Sequence, residues 1–350
     1  MTVEVWAAED TTPSDIDSAL RNLLEEQHAK GEGVAPARVV NMVAVVDRAW
    51  RGEILNRLER VGRYHPSRTI LCAVEEGRTT LDARATLLAP AAEDGGIAAA
   101  EERVEVRVGP GHLKRLDSIV DPLLVPDLIT LVWSPHGYDE AVDAMRGLAD
   151  VVLLDSSDLP DMRAAVNRVC ELGEHAYVVD LAWLRSTPWR ERIAATFDPP
   201  IWRPALRQIS RVVVRHRPDS AVSAVLLLGW FSSRLGWEPS ALVSENGRHH
   251  GRARAGKLDV RVDLEPVPEL SAPGLGGITV ETAAGMSVSL DRSAGGLAAK
   301  RRLPDGHESN WVVLGASRGE AGILGEGIRQ ALLRDPTYGP AVSCARAFLS

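Results

Sequence analysis

Gly315-Ala316-Ser317-Arg318-Gly319 has the G-x-S-x-G spacing that lifts a serine nucleophile onto a sharp strand-to-helix turn, and the apolar run Trp311 to Leu314 precedes it. Acyl transfer by such a serine needs a histidine base, which in that arrangement lies later in the chain, whereas the last histidine here is His307. Ser317 also stands three residues before Glu320, which is capping-box spacing. A helix start with at most a weak anion site accounts for the same residues. Gly251 to Lys257 repeats the spacing of a phosphate-binding loop, but Leu258 takes the place of the magnesium-binding hydroxyl, and LDVRVDL then alternates like a strand. No G-x-G-x-x-G follows the first strand-like run, so no cofactor is expected. His249-His250 falls in the same basic loop with Arg248, Arg252 and Arg254 and no nearby cysteine, which reads as a solvated loop rather than a metal site. Asp155, Asp158 and Asp161 could hold a hard cation, yet Asp158 or Asp161 at the head of a helix would satisfy free amides instead.

The remaining chemistry is cationic and aromatic. Arg203, Arg207, Arg211, Arg215 and Arg217 follow one another without an acidic residue between them, and a strand over Arg211 to Arg217 would put Arg211, Val213, Arg215 and Arg217 on one face. Such a face is either a charged edge strand that resists unwanted pairing or a patch for a sugar phosphate or a partner's carboxylates. Nine tryptophans against three phenylalanines is unusual. Two of them lie in DLAWLRSTPWRERIAATFD, residues 180–198, where Thr187 and Pro188 fit a helix start and Trp189, Ile193 and Phe197 recur on one face. Trp183 and Trp189 either bury their rings between domains or anchor an interface together with Arg185 and Arg190.

The elements that position these residues follow from periodicity. At 350 residues, with 45% apolar and 25% charged residues, the chain has the composition of about two globular domains. An acidic amphipathic helix carrying Ile16, Leu20, Leu23 and Leu24, then a Gly- and Pro-containing connector, occupies residues 1–34. Over 35–165, buried-type strands at 38–47, 67–74, 128–133 and 151–155 alternate with helices, which predicts an open, mostly parallel α/β domain. Over 166–350, alternating strands surround an apolar helix at 221–235, which predicts an α+β domain with a largely antiparallel sheet. The Ala-rich segment 89–100 reads as a loop.

A net charge of −8, from 40 basic and 48 acidic residues, argues against nucleic-acid binding, since that needs a cationic surface. The longest uncharged apolar segment, Ser220 to Ser233, is 14 residues, short of the roughly 20 that span a bilayer. The scattered Cys72, Cys170 and Cys344 and the acidic N-terminus fit a cytoplasmic protein without membrane association.

DLAWLRSTPWRERIAATFD at 180–198, RVVNMVAVVD at 38–47 with RYHPSRTILCAV at 63–74, and LVW at 131–133 with LLDSSDLP at 153–160 resemble the bacterial glucose-6-phosphate dehydrogenase assembly proteins, the OpcA family. The resemblance runs in matching order from about residue 35 to the C-terminus. It implies a non-catalytic allosteric activator that binds glucose-6-phosphate dehydrogenase, promotes its active oligomer and so supports NADPH production in the oxidative pentose phosphate pathway. Some family members are linked to thiol-based regulation, but no Cys-x-x-Cys is present and Cys170 falls on an apolar stripe with Met162, Ala165, Val166 and Val169. The residues expected to meet the partner are Trp183, Arg185, Trp189 and Arg190, with Arg211 and Arg215 as a second surface. The competing reading is a sugar-phosphate-handling enzyme or a serine hydrolase using Ser317.

Overall fold

The structure is a computed structural model that describes residues 2–29, 34–36, 38–62, 66–89, 98–159, 161–293, 296–314 and 319–350. Two compact units interleave along the chain. The first comprises Met1–Leu154, Leu172–Val179 and Glu320–Leu333, and the second Asp155–Glu171, Asp180–Gly319 and Arg334–Ser350.

The chain opens with β1 (Thr2–Ala8), α1 (Pro13–Ala29), β2 (Val34–Pro36), β3 (Val40–Asp47), α2 (Arg51–Gly62), β4 (Ser67–Val74), β5 (Asp82–Ala89) and β6 (Ala98–Val108). It continues through α3 (Leu116–Val120), β7 (Ile129–Trp133), α4 (Asp139–Ala144), β8 (Val151–Leu154), α5 (Met162–Gly173) and β9 (Tyr177–Asp180). The first sheet has the order β1-β5-β6-β4-β3-β7-β8-β9, with β2 beside β6. The neighbours β6, β4, β3, β7 and β8 are parallel. Every residue of β3 from Val40 to Val46 is buried, because a central parallel strand is covered on both faces. Two strands away on β6, Glu102 is 1% exposed and meets Arg38 and, opposite it on β4, Arg68 at 2.8 Å, so a buried carboxylate has two cationic partners. The opening segment differs from expectation: before α1 it supplies β1, which lies antiparallel to β5 from Thr2 opposite Ala89 to Ala8 opposite Ala83. The segment read as a loop is a strand from Ala98 onward.

The second unit continues with α6 (Leu181–Arg185), α7 (Thr187–Phe197), β10 (Ile209–His216), α8 (Ala221–Leu235), β11 (Glu238–Pro239), β12 (Val243–Glu245), β13 (Arg248–Ala255) and β14 (Leu258–Pro266). It then runs β15 (Leu275–Thr282), β16 (Ser287–Ser293), β17 (Gly296–Arg302) and β18 (Glu308–Leu314); α9 (Gly319–Leu333) belongs to the first unit apart from Gly319, and α10 (Tyr338–Leu349) closes the second. The second sheet has the order β11-β13-β14-β10-β15-β16-β17-β18, with β12 beside β13. All of its pairings are antiparallel except β10 with β14. The chain is thus α/β with one mostly parallel and one mostly antiparallel sheet, as its periodicity implied.

One face of the second sheet is apolar. Val212, Val214, Val262, Leu264, Ile278, Val280, Val288 and Leu290 are fully buried there, and α8 packs on it with α10 against α8. The α8–α10 crossing is close enough that a Cβ at Gly229 would come within 2.1 Å of the Ala341 carbonyl oxygen, so only glycine fits. Three local expectations change. β10 is a central strand rather than an edge, Arg248 to Ala255 form β13 rather than a loop, and α7 begins at Thr187 after Ser186, placing Pro188 one position further in.

Candidate partner-binding surfaces

The 180–198 segment folds into a polar knot within the second unit. Asp180 ends β9 and caps α6: its Oδ1 accepts from the Ala182 amide at 2.9 Å and the Ser156 amide at 3.1 Å. Its Oδ2 accepts from the Ser156 hydroxyl at 2.7 Å and the Tyr338 hydroxyl at 3.0 Å. Burial, with the charge of nearby Asp155 second, pushes its carboxyl up to about 6 despite those donors. The Trp183 indole donates to Asp335 Oδ2 at 2.9 Å, and its ring centre lies 5.2 Å from that of Tyr338. Arg190 stacks its guanidinium 3.5 Å over Trp183 and donates to the Trp183 carbonyl, Thr187 Oγ1 and Ser186 Oγ, with Asp335 Oδ2 at 3.6 Å.

These contacts decide what the segment can offer. Trp183, Trp189 and Arg190 are 2%, 5% and 8% exposed, so their side chains are inside the fold in this conformation. Arg185, partly exposed, pairs with Asp155. Burial lowers the Arg190 guanidinium to about 10, still charged at neutral pH, and its stacking and hydrogen bonds offset the lost hydration. The knot holds the chain ends of α6, α7 and α10 in register.

Arg211 and Arg215 lie on the face of the second sheet opposite the apolar one. The Arg211 Nε donates to Asp263 Oδ2 at 2.8 Å, a bond that raises its pKa, and the Arg215 Nη2 donates to Asp291 Oδ1 at 2.8 Å. Arg215 lies flat because Gly277 is beneath it: a Cβ there would meet its Nε at 2.6 Å. Between them Val213 is 5% exposed, covered along the arginine stems. Arg217 falls beyond the strand and pairs with Asp219 instead of joining this face.

Strand register adds residues that periodicity left scattered. Arg211 stands opposite Arg261 of β14, and Arg261 opposite Arg252 of β13, so three arginines form one row across three strands. Arg252 and Arg261 are exposed, and among the described residues Arg261 has no ion-pair partner. Like charges directly opposite one another oppose sheet formation, and Asp263 and Asp259 only partly neutralise this row. Only the parallel β10–β14 pairing brings the three together, and no local pattern announces that pairing.

The first unit has the strand order of a doubly wound sheet at β6-β4-β3-β7-β8-β9, where ligands enter beside the carboxyl ends of β3 and β7. A dinucleotide there needs small residues and an open helix N-terminus. Residues 47–52 instead read Asp-Arg-Ala-Trp-Arg-Gly, and Asp47 Oδ1 already accepts from the Ala49 amide at 2.7 Å. His136, on the loop after β7, accepts from the Asp47 amide at 3.2 Å through Nδ1, and burial lowers its pKa toward that neutral form. Its ring centre lies 6.0 Å from that of Trp50. The turn thus lacks the glycine fingerprint, and the Asp47 carboxylate occupies the amide at its start, so these residues do not fit a dinucleotide.

Among the described residues, no group of three or more His, Cys, Asp or Glu side chains could hold a metal ion. His249 and His250 lie in β13, and Asp161 caps α5 by accepting from the Ala164 amide at 2.7 Å. Ser317 lies outside the described residues. No described helix is long and apolar enough to cross a membrane. Cys72 is buried, which pushes its thiol up to about 12.

Residues 59–171 match the family model described as the glucose-6-phosphate dehydrogenase subunit N-terminal domain, and residues 176–342 match that of its C-terminal domain. A protein of Synechococcus elongatus named as an OxPP cycle protein OpcA is 28% identical over 236 residues, covering 64% of this chain and 52% of that one. A Nostoc punctiforme protein named likewise is 30% identical over 139 residues, covering 39% and 30%. The chain therefore spans about half the length, or less, of these curated relatives. Among solved structures, UDP-N-acetylglucosamine 3-dehydrogenase GnnA of Acidithiobacillus ferrooxidans superposes with a TM-score of 0.44 at 9% identity, covering 88% of this chain and 99% of that one.

Proposed function

Because this chain belongs to the OpcA family of glucose-6-phosphate dehydrogenase subunits, we propose that it is a non-catalytic cytoplasmic partner that binds the dehydrogenase and shifts it toward its active assembly. An activator must bind the active state more tightly than the inactive one, since equal affinity shifts nothing. A tenfold shift needs about 1.4 kcal/mol of differential binding, which a few contacts supply. NADPH production in the pentose phosphate pathway would rise through the enzyme, with no chemistry at this chain.

The observation that carries the assignment of a surface is the arginine row Arg211, Arg261 and Arg252 on the sheet face opposite the apolar one, with Arg215 beside it. Such a row suits an acidic surface of the partner, where guanidinium forks bind carboxylates in pairs. Trp183, Trp189, Arg185 and Arg190 support this surface indirectly, by fixing the helices of the same unit. Charge reversal at Arg261→Glu, an exposed side chain with no ion-pair partner among the described residues, is expected to weaken dehydrogenase binding at least tenfold and more at low salt, with the thermal unfolding of the free protein little changed. Unaltered affinity in sedimentation velocity titrations would reject the surface.

The competing reading, an enzyme handling sugar phosphates or a hydrolase using Ser317, has a simple discriminator. Ser317→Ala is expected to leave dehydrogenase activation intact, whereas a serine hydrolase would lose turnover by orders of magnitude.

A further inference from the structure

The outer side of β1 is an open sheet edge. β1 pairs with β5 over seven continuous residues and, among the described residues, no strand pairs with its other side. Natural edges are guarded by lysine and other charges, proline or a bulge, and Thr2–Ala8 has a single charge, the half-buried Glu4, with no lysine, proline or bulge. Val3 and Val5 stand 48% and 43% exposed along it. Beside this edge, between β1 and α1, runs a groove of about 690 Å³ with Trp6, Ala19 and Leu23 among its apolar walls and Glu9, Asp10 and Glu26 at its rim. The charge there is one-sided. Residues 2–29 hold seven acidic residues and one arginine, a net of −6 in a chain whose total is −8, and that arginine, Arg21, pairs with Asp17 on its own helix.

We propose that β1 and this groove form a docking site for an extended, lysine- or arginine-rich segment of a partner polypeptide, which adds to the first sheet as an extra strand. Backbone groups of β1 supply the pairing, apolar side chains of the incoming strand enter against Trp6 and Leu23, and its cations face Glu9, Asp10 and Glu26. Charge complementarity selects this occupant: a second copy of the chain would bring the same acidic segment against itself. The proposal rests on the reading that this chain works by holding another polypeptide, and it is tested apart from the identity of that polypeptide.

An alternating lysine–valine heptapeptide and its glutamate–valine counterpart are the probes, titrated against the full chain, with hydrogen exchange followed over residues 2–8. The lysine peptide is expected to bind at least tenfold more tightly than the glutamate peptide and to slow exchange in β1. The double variant Glu9→Lys with Glu26→Lys, which alters only surface side chains, is expected to erase that preference; Val5→Lys, which guards the edge, is expected to weaken both effects. Equal binding of the two peptides, or no protection of β1, overturns the site. In a parallel arm the cognate dehydrogenase is titrated against wild type and the Glu9/Glu26 variant. No binding to wild type rejects the partner reading and leaves the peptide arm to decide the groove. Equal binding to both proteins would show that this enzyme does not use the groove.

Discussion

Four donors converge on the Asp180 carboxylate while burial raises its pKa from 3.8 to about 6, so the native state holds a proton that the unfolded chain has lost between those values. Its contribution to stability is present in full below pH 4, declines as pH rises through about 4 to 6, and is level above that. Asp180→Asn cannot titrate, and the hydroxyls of Ser156 and Tyr338 can turn to accept its amide. The unfolding free energy of wild type relative to this variant is expected to fall by about 2 kcal/mol between pH 4 and pH 7, at about 1.4 kcal/mol per pKa unit. Parallel denaturation curves at the two pH values would contradict that. Trp189, 5% exposed, is expected to cost roughly 3–5 kcal/mol on replacement by alanine in urea unfolding. A loss below about 1 kcal/mol with impaired partner binding would instead mark the ring as a contact. Helical spacing of Trp189, Ile193 and Phe197 was enough to place all three on the buried face. It could not show that Arg190 stacks on Trp183 or that Asp335, far along the chain, accepts from both, because such pairings depend on tertiary return of the chain.

At the scale of elements, runs with one clear period were legible. β3, β4, β7, β8 and α8 lie where apolar runs put them, within a few residues. β1 and β13 were not. TVEVWAA precedes a strong helical pattern that draws attention from it, and RHHGRARA buries a single residue, Ala253, so its alternation carries almost no hydrophobic signal. The consequence was functional as well as structural, since Arg252 counted as a loop residue until β13 paired with β14. The first strand-to-helix turn has no G-x-G-x-x-G, and Asp47 accepting from the Ala49 amide adds a reason to expect no dinucleotide there. Isothermal titration with NADP+ or NADPH is expected to show no saturable heat. One-to-one saturable binding, lost on Trp50→Ala, would overturn the closed-turn account.

For the whole molecule, charge is distributed by role. The acidic opening segment belongs to the first unit and the arginine row to the second, where Asp263, Asp259 and Asp291 pair with Arg211, Arg252 and Arg215 and, among the described residues, Arg261 has no ion-pair partner. The buried polar groups that do converge, Asp180, Trp183, Arg190 and Asp335, are occupied in holding helices. The most direct test mixes the full chain at saturating amounts with glucose-6-phosphate dehydrogenase from the same organism and measures glucose 6-phosphate saturation and complex mass in the same samples. A higher kcat/KM together with a larger, stoichiometric assembly is the expected result; unchanged kinetics and unchanged mass would contradict the account.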